Sequence, residues 1–526
     1  MSLFDIKGSR VSNDIELSGV ASIICTNSKL KASHEALMYI FDDVLHSTSV
    51  LNSRKHDVVR LSNVRLDLPI DKDGESDFMW LLRYRDNTDE ELIELLEMPY
   101  FDCIFSHWLN KIWLILGINN VYGTLVSPVV SFITPFLYLL SPIFVLRYRC
   151  GIKLGLINYL KLIYQSFRIG GEVMALASGR TASFASMAVS AFAAVYVYVQ
   201  GLLNSIRHAK NLYIACEKIS CKIEGACRYV KQATIAMAAY GWDISHTKRW
   251  VHGDDSTKIK ENPGKSLPNI LSGAVYKPWD VRFGRALVSF KGLCLESMEG
   301  FAKHVSIFEA VRSVSDHVYN NTVVPVEFSG PGILARGIIH PMIPNCVGND
   351  VSLAYGAKNI VLTGANASGK STILRSIALA SLMSQTVCVA YCGAIAVNPV
   401  HTINSHMCVP DDIMKGKSRF QAEMTNIGEI VAIAEKGKPC LIVIDELFSS
   451  TTASQCVVCL DGVLRKIYEF EKCMFILATH HAVDFDGVRR YTMETSSESF
   501  EHRYKMVTGI NSVYNAEASF ASFGKS

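Results

Sequence analysis

Hydrophobic positions fall along this chain in three patterns, and each predicts a different kind of element. In the last third they form short unbroken runs: NIVLT at Asn359–Thr363, LIVI within PCLIVIDEL (Pro439–Leu447), and MFILAT within MFILATHH (Met474–His481). Runs of this length, bounded by Gly, Pro and polar residues, predict strands buried on both faces. The segment TILRSIALASLM after the first run has helical periodicity instead. In the second pattern, apolar residues alternate spacings of three and four: Ala209, Leu212, Cys216, Ile219, Ile223, Ala226, Val230, Ala233 and Met237. That is a heptad seam over four repeats, with mostly small residues, which suits close antiparallel helix packing. A polar loop over 252–269 and a second helical stretch from Val288 follow. Two long helices joined by a loop would make a lever or clamp, or equally a helical connector.

The third pattern is a gap without charge. No residue between Lys111 and Arg147 is charged, a gap of 35 residues, where a membrane span needs only about 20. Soluble helices of such length nearly always carry charge on one face, so membrane insertion is expected. Pro128, Pro135 and Pro142 argue against one straight helix. A hairpin turning near Asn119–Gly123 or Ser127–Pro128 would keep the basic connector that follows and the C-terminal part on the same side of a membrane. A second charge-free gap, between Arg180 and Arg207, is rich in Ala and Ser and suits a membrane interface or a protein interior. These patterns divide the chain into a mixed N-terminal region (1–105), hydrophobic membrane-associated helices (106–206), a helical lever-like region (207–325) and an α/β domain (326–526). The first region closes with RYRDNTDEELIELLEM, an acidic amphipathic helix with Asp89, Glu90 and Glu91 near its start, where the helix dipole favours them.

Composition adjusts this picture modestly. The chain of 526 residues is 49% hydrophobic and 19% charged, with a net charge of +3, so bulk charge gives no argument for a nucleic-acid partner. The connector 147–180 holds Arg147, Arg149, Lys153, Lys161, Arg168 and Arg180 against Glu172, and such loops prefer the cytoplasmic side. The 15 Cys are scattered without a framework or a secretory signal, which fits reduced thiols in a cytosolic setting. Cys456 and Cys459 form a CxxC in an apolar helical pattern with no second ligand pair nearby, so core packing is expected rather than zinc.

The chemistry lies in the last part. Gly364-Ala365-Asn366-Ala367-Ser368-Gly369-Lys370-Ser371, followed by Thr372, fits GxxxxGK[ST] between a strand and a helix. Such a loop turns its backbone N–H groups toward nucleotide phosphates. Lys370 would reach the β- and γ-phosphates and the Ser371 hydroxyl would ligate Mg2+. Asp445 and Glu446 end the PCLIVIDEL run, where α/β sheets place ligands. Asp445 would hold the Mg2+ shell and Glu446 would polarise the attacking water. His480, ending the next run, would reach the γ-phosphate side.

These residues, in this order, resemble the ATPase domain of the MutS family within the ABC-type ATPases. TGANASGKST resembles TGPNMGGKST, LIVIDEL resembles LVLIDEL, and LATHH resembles ATHY. The resemblance implies that Asn366 contacts the γ-phosphate. GKSRFQAEM resembles GxSTFMxEM and implies that Ser418 reaches the nucleotide of the opposing subunit. HPMIPNCVGNDVSL resembles the segment near the adenine, and YKMVTGINSVYNAEASFASFG the closing segment. The departures are FSSTT (Phe448–Thr452) in place of GRGT, and Ala367-Ser368 in place of Met-Gly. No mismatch-reading wedge is found in 1–105, nor room for mismatch-binding and connector domains, nor a terminal helical dimerisation segment. SGKST and PDDIMKGKSRFQAEM resemble a MutS-related branch with hydrophobic membrane segments and no mismatch-reading domain.

The fold expected is an α/β P-loop ATPase domain of ABC/MutS type at the C-terminus, preceded by an all-α lever-like region and a membrane-inserted helical segment. The function expected is ATP binding and hydrolysis with Mg2+ in a homodimer or MutS-like heterodimer. Closure would move the helical levers against DNA, a protein or the membrane. Its setting would be a cytoplasm-facing membrane, with the nucleus or a viral compartment as alternatives. Two other readings stand beside it. One is a mismatch-repair protein whose partner supplies the mismatch reader, with Lys248, Arg249, Lys258, Lys260 and Lys265 on phosphates or on a solvated loop. The other is an ABC-like transport ATPase, against which stand the missing LSGGQ-type signature and the few spans.

Overall fold

The structure, a computed structural model, describes residues 4, 10–28, 30–66, 70–84, 89–153, 155–178, 183–251, 277, 279–293, 295–354, 359–365, 367–407, 419–448, 452–481, 485–495 and 502–509. The chain divides into two compact units. The first comprises 1–72, 232–263 and 296–526, and the second 73–231 and 264–295. Neither is continuous in sequence. The unit that holds the α/β domain also takes in the first 72 residues.

In the first unit the strands, in chain order, are β1 (Val324–Pro325), β2 (Gly332–Ile338), β3 (Asn349–Ala354), β4 (Asn359–Thr363), β5 (Val389–Ala390), β6 (Ala394–Val397), β7 (Thr402–His406), β8 (Cys440–Asp445), β9 (Cys473–Thr479), β10 (Arg489–Thr495) and β11 (His502–Thr508). The main sheet has the order β11-β10-β4-β9-β8-β7. All its pairs are parallel except β10 with β11. The three apolar runs are β4, β8 and β9, the centre of this sheet, and every residue of β4 and β9 is buried. Helices Arg419–Glu435 and Ala453–Tyr468 cover β8 and β9 with Ile430, Leu460, Leu464 and Ile467, as right-handed parallel crossovers require. Cys456 belongs to that core, and no metal-binding cluster occurs among the described residues.

The helix after the loop, Lys370–Thr386, is buried on every side from Ile377 onward. It tolerates this because its hydroxyls bond back along the helix: Ser376 to Thr372 O, Ser381 to Ile377 O, Ser384 to Ala380 O and Thr386 to Leu382 O, at 2.6–2.8 Å. N-terminal helices pack around it. Arg54, in the Thr48–Ser62 helix, is fully buried and donates to Thr386 O and Arg249 O at 3.1 Å each. Asp57, one turn on, takes Arg249 at 2.7 Å. That pairing removes Arg249 from the residues expected to meet phosphates. Lys248 is exposed, and Lys258, Lys260 and Lys265 lie outside the described residues.

In the second unit, the helices Trp113–Val121 and Gly284–Lys291 meet backbone to backbone. A Cβ on Gly117 would lie 1.8 Å from Val281 O, and one on Gly284 would lie 1.8 Å from Trp113 O. The heptad seam lies on one helix, Ser183–Ala239, and all nine seam residues are buried. Within this unit the seam helix meets the helix Lys72–Arg83 and the long run that begins at Trp113. Tyr229 packs on Phe78 with the rings tilted, Lys222 pairs with Asp77 at 2.6 Å, and Cys216 Sγ donates to Asn120 Oδ1 at 3.0 Å. The acidic helix is Glu90–Glu97, capped by the Asp89 carboxylate on Leu92 N at 3.1 Å.

The expected hairpin within the first charge-free gap is not formed. Trp113–Arg149 is one helical run, with a π-helical stretch at Tyr122–Val126. Pro128 sits in the first turn of Ser127–Arg149, where its missing N–H has no intrahelical partner to lose. Pro142 cannot bond Tyr138 O, and the Ser141 hydroxyl takes that carbonyl at 3.1 Å. No residue of Ser127–Arg149 is buried.

Candidate nucleotide site

The site stands at the carboxyl ends of β4, β8 and β9. The loop that leaves β4 needs left-handed backbone at Ala367 (φ 61°) and Gly369 (φ 96°). Gly369 leaves no room for more: an added Cβ would come within 3.1 Å of the Tyr504 ring. Ala367 carries its Cβ at some strain. Helix Lys370–Thr386 starts directly after Gly369, so its free N–H groups and dipole face the loop. Asn366 lies outside the described residues, as does Ser418.

Lys370 turns its ammonium inward. Nζ donates to Gly364 O and Ala365 O, both at 3.0 Å, and lies 3.1 Å from His480 Nε2. The same His480 nitrogen is 2.7 Å from Glu446 Oε1. Lysine, histidine and glutamate thus form one chain of contacts across β4, β8 and β9. Burial pulls the Lys370 ammonium below its usual pKa, with the carboxylates of Glu446 and Asp445 opposing. Glu446 itself has φ 54° and Phe448 φ 61°, an unusual pair of left-handed residues that turns the chain sharply after β8.

Asp445 is the most informative residue. Burial raises its carboxyl pKa, and a hydrogen bond from Ser371 works against that rise. Its Oδ1 is buried with no partner. A buried carboxylate oxygen without a donor is costly, and beside a serine hydroxyl it is half of an oxygen cage for a hard divalent cation. The donor set therefore fits Mg2+. Ser368 Oγ is likewise buried without a partner at the loop, and Thr372 begins the first helical turn.

Beside the loop opens a cavity of about 400 Å3. It is lined by Ile343, Pro344 and Val347, by Thr372 and Ile373 of the helix after the loop, and by Tyr504. The 340–353 segment is thus next to the phosphate loop. Tyr504, which packs on Gly369, opens the segment that resembles the closing segment, whereas Met493, which packs on Gly364, was not singled out from the sequence. Met493 comes from β10, more than 120 residues downstream, and no local motif marks it.

Parallel strands, a GxxxxGK[ST] turn and paired carboxylates at a strand end define a P-loop domain of the α/β class. The comparisons then narrow the class. A family model described as MutS domain V matches residues 360–516. The DNA mismatch repair protein MutS of Pseudothermotoga lettingae is 31% identical over 240 residues, 43% of this chain and 29% of that protein. MutS 2 of Halobacterium salinarum is 28% identical over 194 residues (35% and 22%), and MSH7 of Arabidopsis thaliana 29% over 228 (40% and 20%). The match is to a MutS domain V, and it lies in the C-terminal part of the chain. The chain spans less than a third of the length of these relatives.

Proposed function

We propose that this protein is a MutS-type ATPase that works as a paired ATP sandwich. The observation that carries the reading is the orphaned Asp445 Oδ1 beside Ser371, within one cluster with Lys370, Glu446 and His480. Bound Mg2+ would supply charge neutralisation and orientation of phosphate oxygens. Ser371 and Asp445 would hold it, the former directly and the latter through its water shell. Lys370 would leave the carbonyls of Gly364 and Ala365 to reach phosphate. The backbone from Gly364 to Thr372, Asn366 included, would cradle the phosphates, and Ser418 would come from the opposing subunit. Glu446 would orient the attacking water, and His480, already hydrogen-bonded to Glu446, would hold that carboxylate in place and face the γ-phosphate.

The motion so driven would pass to the helical region, and from there to DNA or the membrane. The DNA reading is supported by the mismatch-repair role in the names of the relatives. The membrane reading is supported by Trp113–Arg149, the described helix long and apolar enough to span a bilayer. Its Ser127–Arg149 part is roughly 35 Å long, matched to a hydrocarbon core of about 30 Å. Arg147, Arg149 and Lys153 are exposed at its end, placed for anionic headgroups. A cytoplasm-facing, membrane-associated ATPase joins these features.

Nucleotide binding and turnover of two variants test the ATPase. Lys370→Ala should abolish ATP binding. Glu446→Gln should bind ATP, stop hydrolysis and accumulate a closed dimer on size exclusion. Wild-type turnover in either variant would overturn the assignment.

A further inference from the structure

The proposed ATPase makes no use of the N-terminal residues, yet one turn of them contacts sequence neighbours of two segments that line the cavity beside the phosphate loop. Helix Leu17–Ile24 inserts Leu17, Val20, Ala21 and Ile24 into the interior of the first unit. The turn before it is anchored by Asp14, which is buried and accepts from Ser405 Oγ at 2.6 Å and Met407 N at 3.3 Å, at the end of β7. Glu16 follows with φ 54°, and this left-handed turn delivers its carboxylate to Arg375 Nη1 at 3.1 Å. Arg375 lies on the loop's own helix between Ile373 and Ser376, both of which line the cavity. Three residues further on, Gly19 sits against Met342: an added Cβ would lie 2.7 Å from its Cε and 2.9 Å from its Sδ. Met342 directly precedes Ile343 and Pro344, which also line the cavity.

We infer that the Asp14–Gly19 turn is the outer support of the base-side wall of the nucleotide site, with Glu16 and Gly19 as positioning residues that set the part of the affinity contributed by the base. The inference rests on reading Gly364–Thr372 as a nucleotide site. The Glu16–Arg375 pair is half exposed and worth little as an isolated ion pair. What matters is geometry: one turn, anchored by a buried carboxylate, contacts both Met342 and Arg375, and each adjoins in sequence residues that line the cavity. A flat apolar slot beside a phosphate loop takes a purine ring, whereas the phosphates are held by the loop alone.

Two probes separate these contributions in the full chain: ATP, and inorganic tripolyphosphate, which has no base. Gly19→Leu displaces Met342 and should weaken ATP binding about five-fold, with tripolyphosphate binding unchanged. Adding Met342→Ala should restore ATP affinity. Glu16→Arg should weaken ATP selectively, and Glu16→Arg with Arg375→Glu should recover it. ATP affinity unchanged in Gly19→Leu, or equal weakening of both probes, overturns the inference while leaving the nucleotide site intact. A wild-type chain that binds neither probe overturns both. A Gly19→Leu chain that does not fold leaves the Glu16 and Arg375 swap to decide in the same way.

Discussion

The sheet strands and the Trp113–Arg149 helix are made of the same material and end in opposite environments. Strands β4 and β9 and the stretch 112–146 are uncharged runs rich in Leu, Ile, Val and Phe. In β8 and β9 the backbone groups pair with neighbouring strands and the side chains are covered by helices. In Ser127–Arg149 the backbone bonds within the helix, the Ser141 hydroxyl takes the carbonyl freed by Pro142, and no side chain is buried. A strand cannot sit in lipid without partners for its N–H and C=O groups, whereas a helix carries its own. The difference shows that apolarity fixes only the need to leave water. Length and backbone satisfaction decide whether a run can do without protein cover, which is what the proposed membrane reading requires of Trp113–Arg149.

One substitution made in both places breaks or confirms that contrast. Ile442→Asp puts a carboxylate into the fully buried centre of β8, at a cost of about 5 kcal/mol or more, comparable to the whole stability of a domain. Loss of cooperative unfolding by circular dichroism is expected. Leu137→Asp sits on a helix where that side chain is 61% exposed, so melting of the first unit should not change. Sedimentation with membranes after a high-salt wash should fall about 100-fold, because a charge at mid-span costs about 3 kcal/mol. Wild-type protein in the soluble fraction after that wash would sink the membrane reading. A destabilised first unit in Leu137→Asp would mean that protein covers this face.

The interior can also be probed without changing its shape. His304 lies in the Leu295–Tyr319 helix, buried, with Nδ1 2.6 Å from Thr247 Oγ1. Burial lowers its pKa from 6.5 to about 4, with Asp243 opposing and His246 adding. Above pH 6.5 the ring is neutral in both states and costs nothing. As the pH falls from 6.5 towards 4 the unfolded chain takes up the proton first, so stability drops, by about 3 kcal/mol in all. Denaturant midpoints at pH 7.5 and 4.5 should converge in His304→Gln relative to wild type. An equal drop in both would show that His304 is not sealed from water.

Much of the first unit was legible because its signals are local. The runs that became β4, β8 and β9 stand beside Gly, Lys and acidic residues at motif spacing, so the convergence of Lys370, Ser371, Asp445, Glu446 and His480 could be anticipated. The role of the first 72 residues could not. Asp14 meets Ser405 across 391 positions, Glu16 meets Arg375 across 359 and Arg54 meets Thr386 across 332. No periodicity encodes such pairs, and a buried Arg54 reads in sequence as a surface charge. The prolines misled for a related reason. Pro142 removes a donor, and only the structure shows Ser141 answering the carbonyl it strands. Asn366 and Ser418 fall outside the described residues, so their expected phosphate contacts stand as part of the proposal.

The smallest effect tests how the apolar helix is held to its neighbour. Ser127 and Ser131 each reach Ser205 Oγ at 3.2 Å, and Tyr198 donates to Phe132 O at 3.1 Å. The Ser205 hydroxyl therefore joins Ser127–Arg149 to Ser183–Ala239 at one point. In water such a hydroxyl cluster would exchange freely with solvent and contribute almost nothing. In lipid it has no solvent to turn to, and interhelical hydrogen bonds there average about 0.6 kcal/mol. Cross-linking of cysteines placed at Val130 and Gln200 should therefore fall about two- to three-fold in Ser205→Ala when the chain is in bilayers. In mild aqueous denaturant it should not change. Identical behaviour in the two media would mean that the pair of helices does not sense lipid, and the apolar run would then need a protein partner to cover it.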